Sequence, residues 1–442
     1  MEHSSDIPQK RTNPLRYAIG MFGTSIPINM FKTYAAVFYV ITLGLNTKSF
    51  ALVLFIYTFV DAIDNPVYGI LSDRTRTRWG RRRPWLVIGT PLLILFFVLF
   101  FSPPAFASEQ AMFVYVLLMY ILTGTLDSLI NANYGALFPE LFRDDVTRAK
   151  TNGMRQAFQL MAMIISIALT PIVTGKLGYT NTAIVYGLLA LAVILYTTFG
   201  CHENKNYINT EKPALWSSLK ALFVNPKFWI FGLTNAFYSA ALALVMQAVP
   251  FFVLYALKLD NSNSAFLLGT VIMVAIVSMI FWVWMVKRVT LIPAWRTALI
   301  VLSIGFVPLY FMTSLLGAIL ICSIIGFGVA GVIATMDLIA AKIMDEDARK
   351  YGIQREGIYI SAMGFMNRLS GLFISLGYLL VNLVYGFESG DNPGLNPDGA
   401  SRFLMIVFPF MAMVVSCVFS WFMHFRNGKT RPGPAEPEIK EA

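Results

Sequence analysis

Charge is scarce in this chain. Asp, Glu, Lys and Arg make up 13% of its 442 residues and hydrophobic types 57%, whereas an ordinary soluble domain is about 25% charged. That balance excludes a soluble globular protein and points to one that lies in a membrane. Cysteine is almost absent. Cys201, Cys322 and Cys417 stand far apart, two of them in apolar runs, which argues against a disulfide framework and against a thiolate metal cluster. Histidine is equally rare: His3, His202 and His424 lie near segment ends. No imidazole is left at depth for acid–base catalysis or a proton relay, so neither enzymatic activity nor a cofactor is expected. The chain opens on "MEHSSDIPQKRTNPLR", a polar stretch, so no cleaved secretory signal is expected.

Long apolar runs are what the sequence has instead. A spanning helix needs about 20 mainly apolar residues. Twelve segments qualify: 17–41, 50–71, 85–105, 111–138, 153–174, 182–200, 229–257, 264–285, 297–313, 317–342, 357–385 and 401–425. The expected fold class is an all-α membrane protein of twelve transmembrane helices. Most of the 34 Lys and Arg fall at the N-terminus, in every second loop and at the C-terminus. By the positive-inside rule that side is the cytoplasm. Membrane orientation therefore accounts for the formal charge of +10, and no nucleic-acid partner is expected. The expected location is the cell membrane, as a monomer with both termini cytoplasmic.

The longest cytoplasmic connection, 201–228, separates an N-terminal half (1–200) from a C-terminal half (229–425), and a cytoplasmic tail follows (426–442). The halves echo each other: "DDVTR" at 144–148 follows the fourth segment and "DEDAR" at 345–349 follows the tenth. Two parallel six-helix halves, with a solute site between them near the midplane, are a transporter plan.

The second segment ends in "GILSDRTRTRWGRRRP" (69–84). As a basic loop it is a topology signal, but the pattern also resembles the loop between helices two and three of the major facilitator superfamily. Gly69 permits close helix approach, and Asp73 can pair with nearby arginines. Gly69, Asp73, Arg74, Gly80, Arg81 and Arg82 are thus expected to form a conformational latch. The longer stretch "DAIDNPVYGILSDRTRTRWGRRRPW" resembles the glycoside–pentoside–hexuronide:cation symporters, the branch that contains melibiose permease. "YAIGMFGTSIP" (17–27), "NANYGALFPE" (131–140) and "YGIQREGIYISAMGFMNRLSG" (351–371) extend the resemblance to both halves. The resemblance implies alternating access and uptake of a sugar or glycoside together with Na⁺ or H⁺.

Ionisable groups inside spans are costly, roughly 2.5–3.5 kcal/mol each on insertion scales, and mark function. Lys32, Asp61, Asp64, Asp127, Arg155, Asp337 and Arg368 stand inside the apolar segments. Positions 61, 64, 65 and 68 share one helix face, reading Asp, Asp, Asn, Tyr. Two carboxylates there can bind Na⁺ or share a proton, or can simply pair with arginines. Asp61, Asp64, Asn65 and Ser128 are the expected cation site, Ser128 matching a hydroxyl of the family's fourth helix. The family's Na⁺ users resemble Asp-x-x-Asn-Asp-Pro, whereas this chain has Asp61 and then Asp64-Asn65-Pro66. That exchange rotates the second acid by about 100° around the helix.

Ser25, Asn29 and Lys32 share a face of the first helix, and Asp127, Asn131 and Tyr134 a face of the fourth. With Arg155 and Arg368 they form the expected solute site. Melibiose permease carries sugar-binding aspartates where this sequence has Ser25 and Asn131. The loss of two acids beside three bases leaves two readings open. The bases are neutralised internally, or the solute brings a carboxylate or sulfonate, with Arg368 the expected partner. Other readings are a lysolipid carrier of the same fold and an uncoupled sugar facilitator.

Overall fold

The computed structural model describes residues 12–75, 77–142, 145–202, 224–351 and 356–425. The expected tail 426–442 and most of the 201–228 loop lie outside the described residues. Helices α1 to α12 follow in chain order. They are α1 (14–42, ending in the π turn Val37–Thr42), α2 (Thr47–Arg74), α3 (Arg83–Phe100), α4 (Glu109–Leu141), α5 (145–177) and α6 (179–200). The second six are α7 (Pro226–Ala256), α8 (Asn261–Val289), α9 (Leu291–Leu309), α10 (Leu315–Tyr351), α11 (356–385) and α12 (Pro397–Trp421).

Side-chain caps set many of the starts. Asn13, Asn46, Ser108, Asn225 and Asn396 each accept a backbone N–H of the first turn, and Pro14, Pro226 and Pro397 follow three of them directly. Such a cap satisfies a donor that the helix itself leaves orphaned, and Pro at the first position loses nothing. Gly178 takes φ 77° between α5 and α6, a left-handed conformation that glycine adopts without a Cβ penalty. It turns the chain with no loop, in the middle of the expected gap between 174 and 182.

Among the described residues, nine helices are long and apolar enough to cross a membrane. The other three, α1, α2 and α5, bear Lys32, the Asp61–Asp64 pair and Arg155. On α2 the exposed Leu52, Phe55, Phe59, Ile63, Val67 and Leu71 recur at helical spacing, a stripe suited to lipid contact. Tyr57 and Asp64 are buried on the other side.

The two six-helix halves meet chiefly where α2 lies antiparallel to α11, α5 meets α8 and α1 meets α7. Phe50 packs edge-on against Tyr378 with centroids 5.4 Å apart, and Ser375 Oγ donates to the Ala51 carbonyl at 2.7 Å. Farther along, a Cβ on Gly371 would collide with the Thr58 hydroxyl, so only glycine allows this approach. On the face opposite the termini, Thr47 N and Oγ1 donate to the Glu388 carbonyl at 2.6 and 2.7 Å. Gly390 N donates to the Val40 carbonyl at 2.9 Å. A Cβ on Gly390 would strike the Ile41 carbonyl oxygen, a backbone atom with little room to yield.

Gly390→Ala is therefore expected to loosen that face. A thiol introduced at Ser375 should react faster with a polar maleimide than in the parent protein, and an unchanged rate would refute the expectation.

Candidate transport site between the halves

Close approach builds the site. A Cβ on Gly124 of α4 would overlap the Tyr57 hydroxyl of α2, so these two helices come together as α2 and α11 do at Gly371. The carboxylates of α2 are thereby brought against hydroxyls of α4. Ser128 Oγ donates to Asp61 Oδ1 at 3.1 Å, and Thr125 Oγ1 donates to Asp64 Oδ2 at 2.9 Å. From the other half Arg368 reaches in, with Nε 3.6 Å from Asp61 Oδ2, while its Nη1 donates to the Asp61 backbone carbonyl. Asp61 and Arg368 are 14% and 19% exposed, dry enough for the pair to escape much of the solvent screening that makes surface pairs weak.

Asp127 is buried. Its Oδ1 accepts from Asn131 Nδ2 at 2.7 Å, and it lies in the electrostatic field of Lys32, Asp61 and Arg368. Lys32 itself is exposed although both chain neighbours, Phe31 and Thr33, are buried. Ser25 is buried on the same face of α1, and Asn29 is half-buried. Asp337 is exposed on α10.

Tyr134 and Arg155 are placed differently. Tyr17 and Tyr134 each donate a phenol hydroxyl to the other's backbone carbonyl, at 2.7 and 2.8 Å, with rings stacked 4.7 Å apart. Arg155 stacks over Tyr134 and Phe138 at 5.4 and 5.0 Å, and its Nη2 lies 3.9 Å from Met21 Sδ. These two expected solute residues thus join α1, α4 and α5 in an aromatic cluster, and the structure does not bring them to the carboxylates.

The arginine loop closes on an acid that sequence reasoning passed over. Glu140 Oε1, at the end of α4, accepts from Arg81 Nη2 at 2.7 Å and from Arg82 Nε at 2.9 Å. Arg82 Nη1 also donates to Ser72 Oγ on α2 at 3.1 Å, and Gly80 takes φ 112° in the turn. Gly69 lies within α2, and the side chains of Asn65, Asp73 and Arg74 lie outside the described residues. Thr125 was missed as well. Its signal was a hydroxyl three residues before Ser128, on the α4 face that meets α2. Glu140 was the acid closing the quoted 131–140 stretch, opposite a run of arginines.

Two six-helix halves, with opposite charges meeting between them at mid-depth, define a secondary transporter rather than an enzyme. The fold matches a bacterial homologue of the human lysosomal transporter Spinster in an inward-facing, unoccupied conformation, with TM-score 0.67 and 12% identity over 92% of this chain and 94% of that one. It matches the nucleoside transporter NupG at TM-score 0.67 and 13% identity, over 92% and 98%. The chain belongs to the MFS/sugar transport protein family, which it matches over residues 16–427. Among its relatives, the isoprimeverose transporter of Lactiplantibacillus pentosus is 26% identical over 391 residues, 83% of this chain and 80% of that one. The lactose permease of Lactobacillus delbrueckii subsp. bulgaricus is 21% identical over 443 residues, 94% and 70%. The inner membrane symporter YicJ of Escherichia coli is 24% identical over 258 residues, 57% and 56%.

Proposed function

We propose that this protein imports a sugar-like solute, a glycoside or hexuronide, across the cell membrane by cation-coupled alternating access. It acts as a monomer with both termini in the cytoplasm. The observation that carries this reading is the Asp61–Arg368 pair, which bridges the halves at mid-depth beside the Ser128 and Thr125 hydroxyls. A carboxylate held by a movable guanidinium is a switch. A Na⁺ or H⁺ that binds Asp61 competes with Arg368 and frees it to leave with its half. The contacts of Glu388 and Gly390 with α1 and α2 close the face opposite the termini, which is the outer face in this reading.

The stripe Ser25, Asn29, Asp127 and Asn131 offers a polyol the mixture of donors and acceptors that orients a ligand in a cavity. The names of the relatives support the solute class: isoprimeverose and lactose are sugars, and one relative is called a symporter.

The test is uptake into proteoliposomes of a panel of labelled glycosides and hexuronides, with imposed inward gradients of Na⁺, H⁺ or neither. Gradient-driven accumulation of at least one sugar is expected. Transport of a lysolipid in its place, or equal uptake with and without every gradient, would overturn the reading.

A further inference from the structure

Of the three bases in the expected solute site, Lys32 is the exposed one, and Arg155 and Arg368 are half-buried. Arg368 is committed to the carboxylate and carbonyl of Asp61. Arg155 stacks on Tyr134 and Phe138 beside Met21, half-buried and away from the carboxylates, although its Nε has no acceptor among the described residues. Lys32 has neither an ion pair nor a hydrogen bond among the described residues. Its neighbour in space, Asp127, is buried and turns its carboxylate to Asn131, so the two attract through space without closing a bond. α1 packs against α4, α5, α6 and α7, and the residues beside Lys32 in the chain are fully covered. An amine exposed at this depth therefore faces a water-filled cavity, because the same group facing lipid costs several kcal/mol.

A second observation points the same way. One turn below, on the same face of α1, Asn29 Nδ2 is buried with no acceptor. An ammonium is a donor only, and an unmet buried amide N–H costs free energy until something accepts from it. Lys32 and Asn29 thus place two unmet donors one turn apart, and one of them is a full positive charge. A neutral polyol brings a donor with every hydroxyl. A carboxylate or sulfonate presents acceptors only.

We propose that Lys32, with Asn29 beside it, receives the anionic group of an acidic sugar, and that this pair rather than Arg368 selects a hexuronide or sulfonated sugar over its neutral counterpart. The inference rests on the sugar-transport reading above and names the substrate class of that site.

The experiment is binding to the purified protein by calorimetry, and uptake into proteoliposomes, of phenyl β-glucuronide and phenyl β-glucoside, which differ only at the sugar's sixth carbon. The parent protein is expected to bind the glucuronide at least about tenfold more tightly, about 1.4 kcal/mol. Lys32→Gln should erase that preference through the glucuronide alone, with glucoside affinity within about threefold of the parent's. Lys32→Arg should keep the preference, which a merely structural lysine has no reason to do. The proposal fails if the parent binds both glycosides equally, or if Lys32→Gln keeps the preference. It also fails if Lys32→Gln weakens both ligands alike. In each of those cases sugar binding itself survives, so the transport reading stands. Absence of binding and uptake for both glycosides and for every other sugar tested would remove the reading and the inference together.

Discussion

Asp61→Asn is expected to abolish uphill accumulation while leaving exchange down a gradient. One positive charge moving through 100 mV releases about 2.3 kcal/mol, enough to concentrate a solute about 50-fold. The variant should bring that ratio to about 1. The reason lies in the geometry of a single carboxylate. Asp61 Oδ2 faces Arg368 from the opposite half, and Oδ1 accepts from Ser128. An amide at this position has nearly the same shape but no charge, so neither a coupling cation nor Arg368 retains its counter-ion. Exchange needs only that the halves rock around a bound solute, and it should persist at a measurable rate. Asp64→Asn is expected to be milder, because Asp64 holds Thr125 and has no guanidinium pair among the described residues. If the variant carrying both substitutions still concentrates solute to the parent's level, cation coupling lies elsewhere.

How much of this was legible in the sequence depended on range. The apolar runs and the face shared by residues 61 and 64 are local, and a window of a few turns contains them. Helix ends were less legible. The tenth segment was read as 317–342, whereas α10 runs Leu315–Tyr351, because a helix continues into water after its apolar stretch has stopped. Contacts between helices distant in the chain were not legible at all. That Asp61 faces Arg368 across 307 residues depends on Gly371 and Gly124 letting α11 and α4 approach α2, and spacing along the chain carries no trace of it. The same reason separates Tyr134 from Asn131. Both lie on one side of α4, but a single turn is enough to move a side chain from the mid-depth cluster into the packing around Tyr17.

Glu140 yields the second large effect. Its carboxylate is 10% exposed and accepts from Arg81 and Arg82, the latter 11% exposed. Through Ser72 the same network ties the ends of α2 and α4 to the start of α3. Removing one partner of a buried ion pair costs about 3–5 kcal/mol, because the remaining charge keeps its desolvation without its compensation. Arg81 is 26% exposed and regains water, so about 2–4 kcal/mol is the expectation for Glu140→Gln after allowing for screening. The measurement is thermal unfolding in detergent, where the variant should melt well below the parent. Glu140→Lys, which adds a third positive charge to the site, should be lower still. All the partners described for Glu140 belong to its own half, so the loss should appear as instability of that half. Among molecules that remain folded, the balance between inward- and outward-facing forms should be unchanged. A latch between the halves predicts the reverse: a parent-like melting temperature and a shifted balance, read from inter-half distances by spin-label spectroscopy.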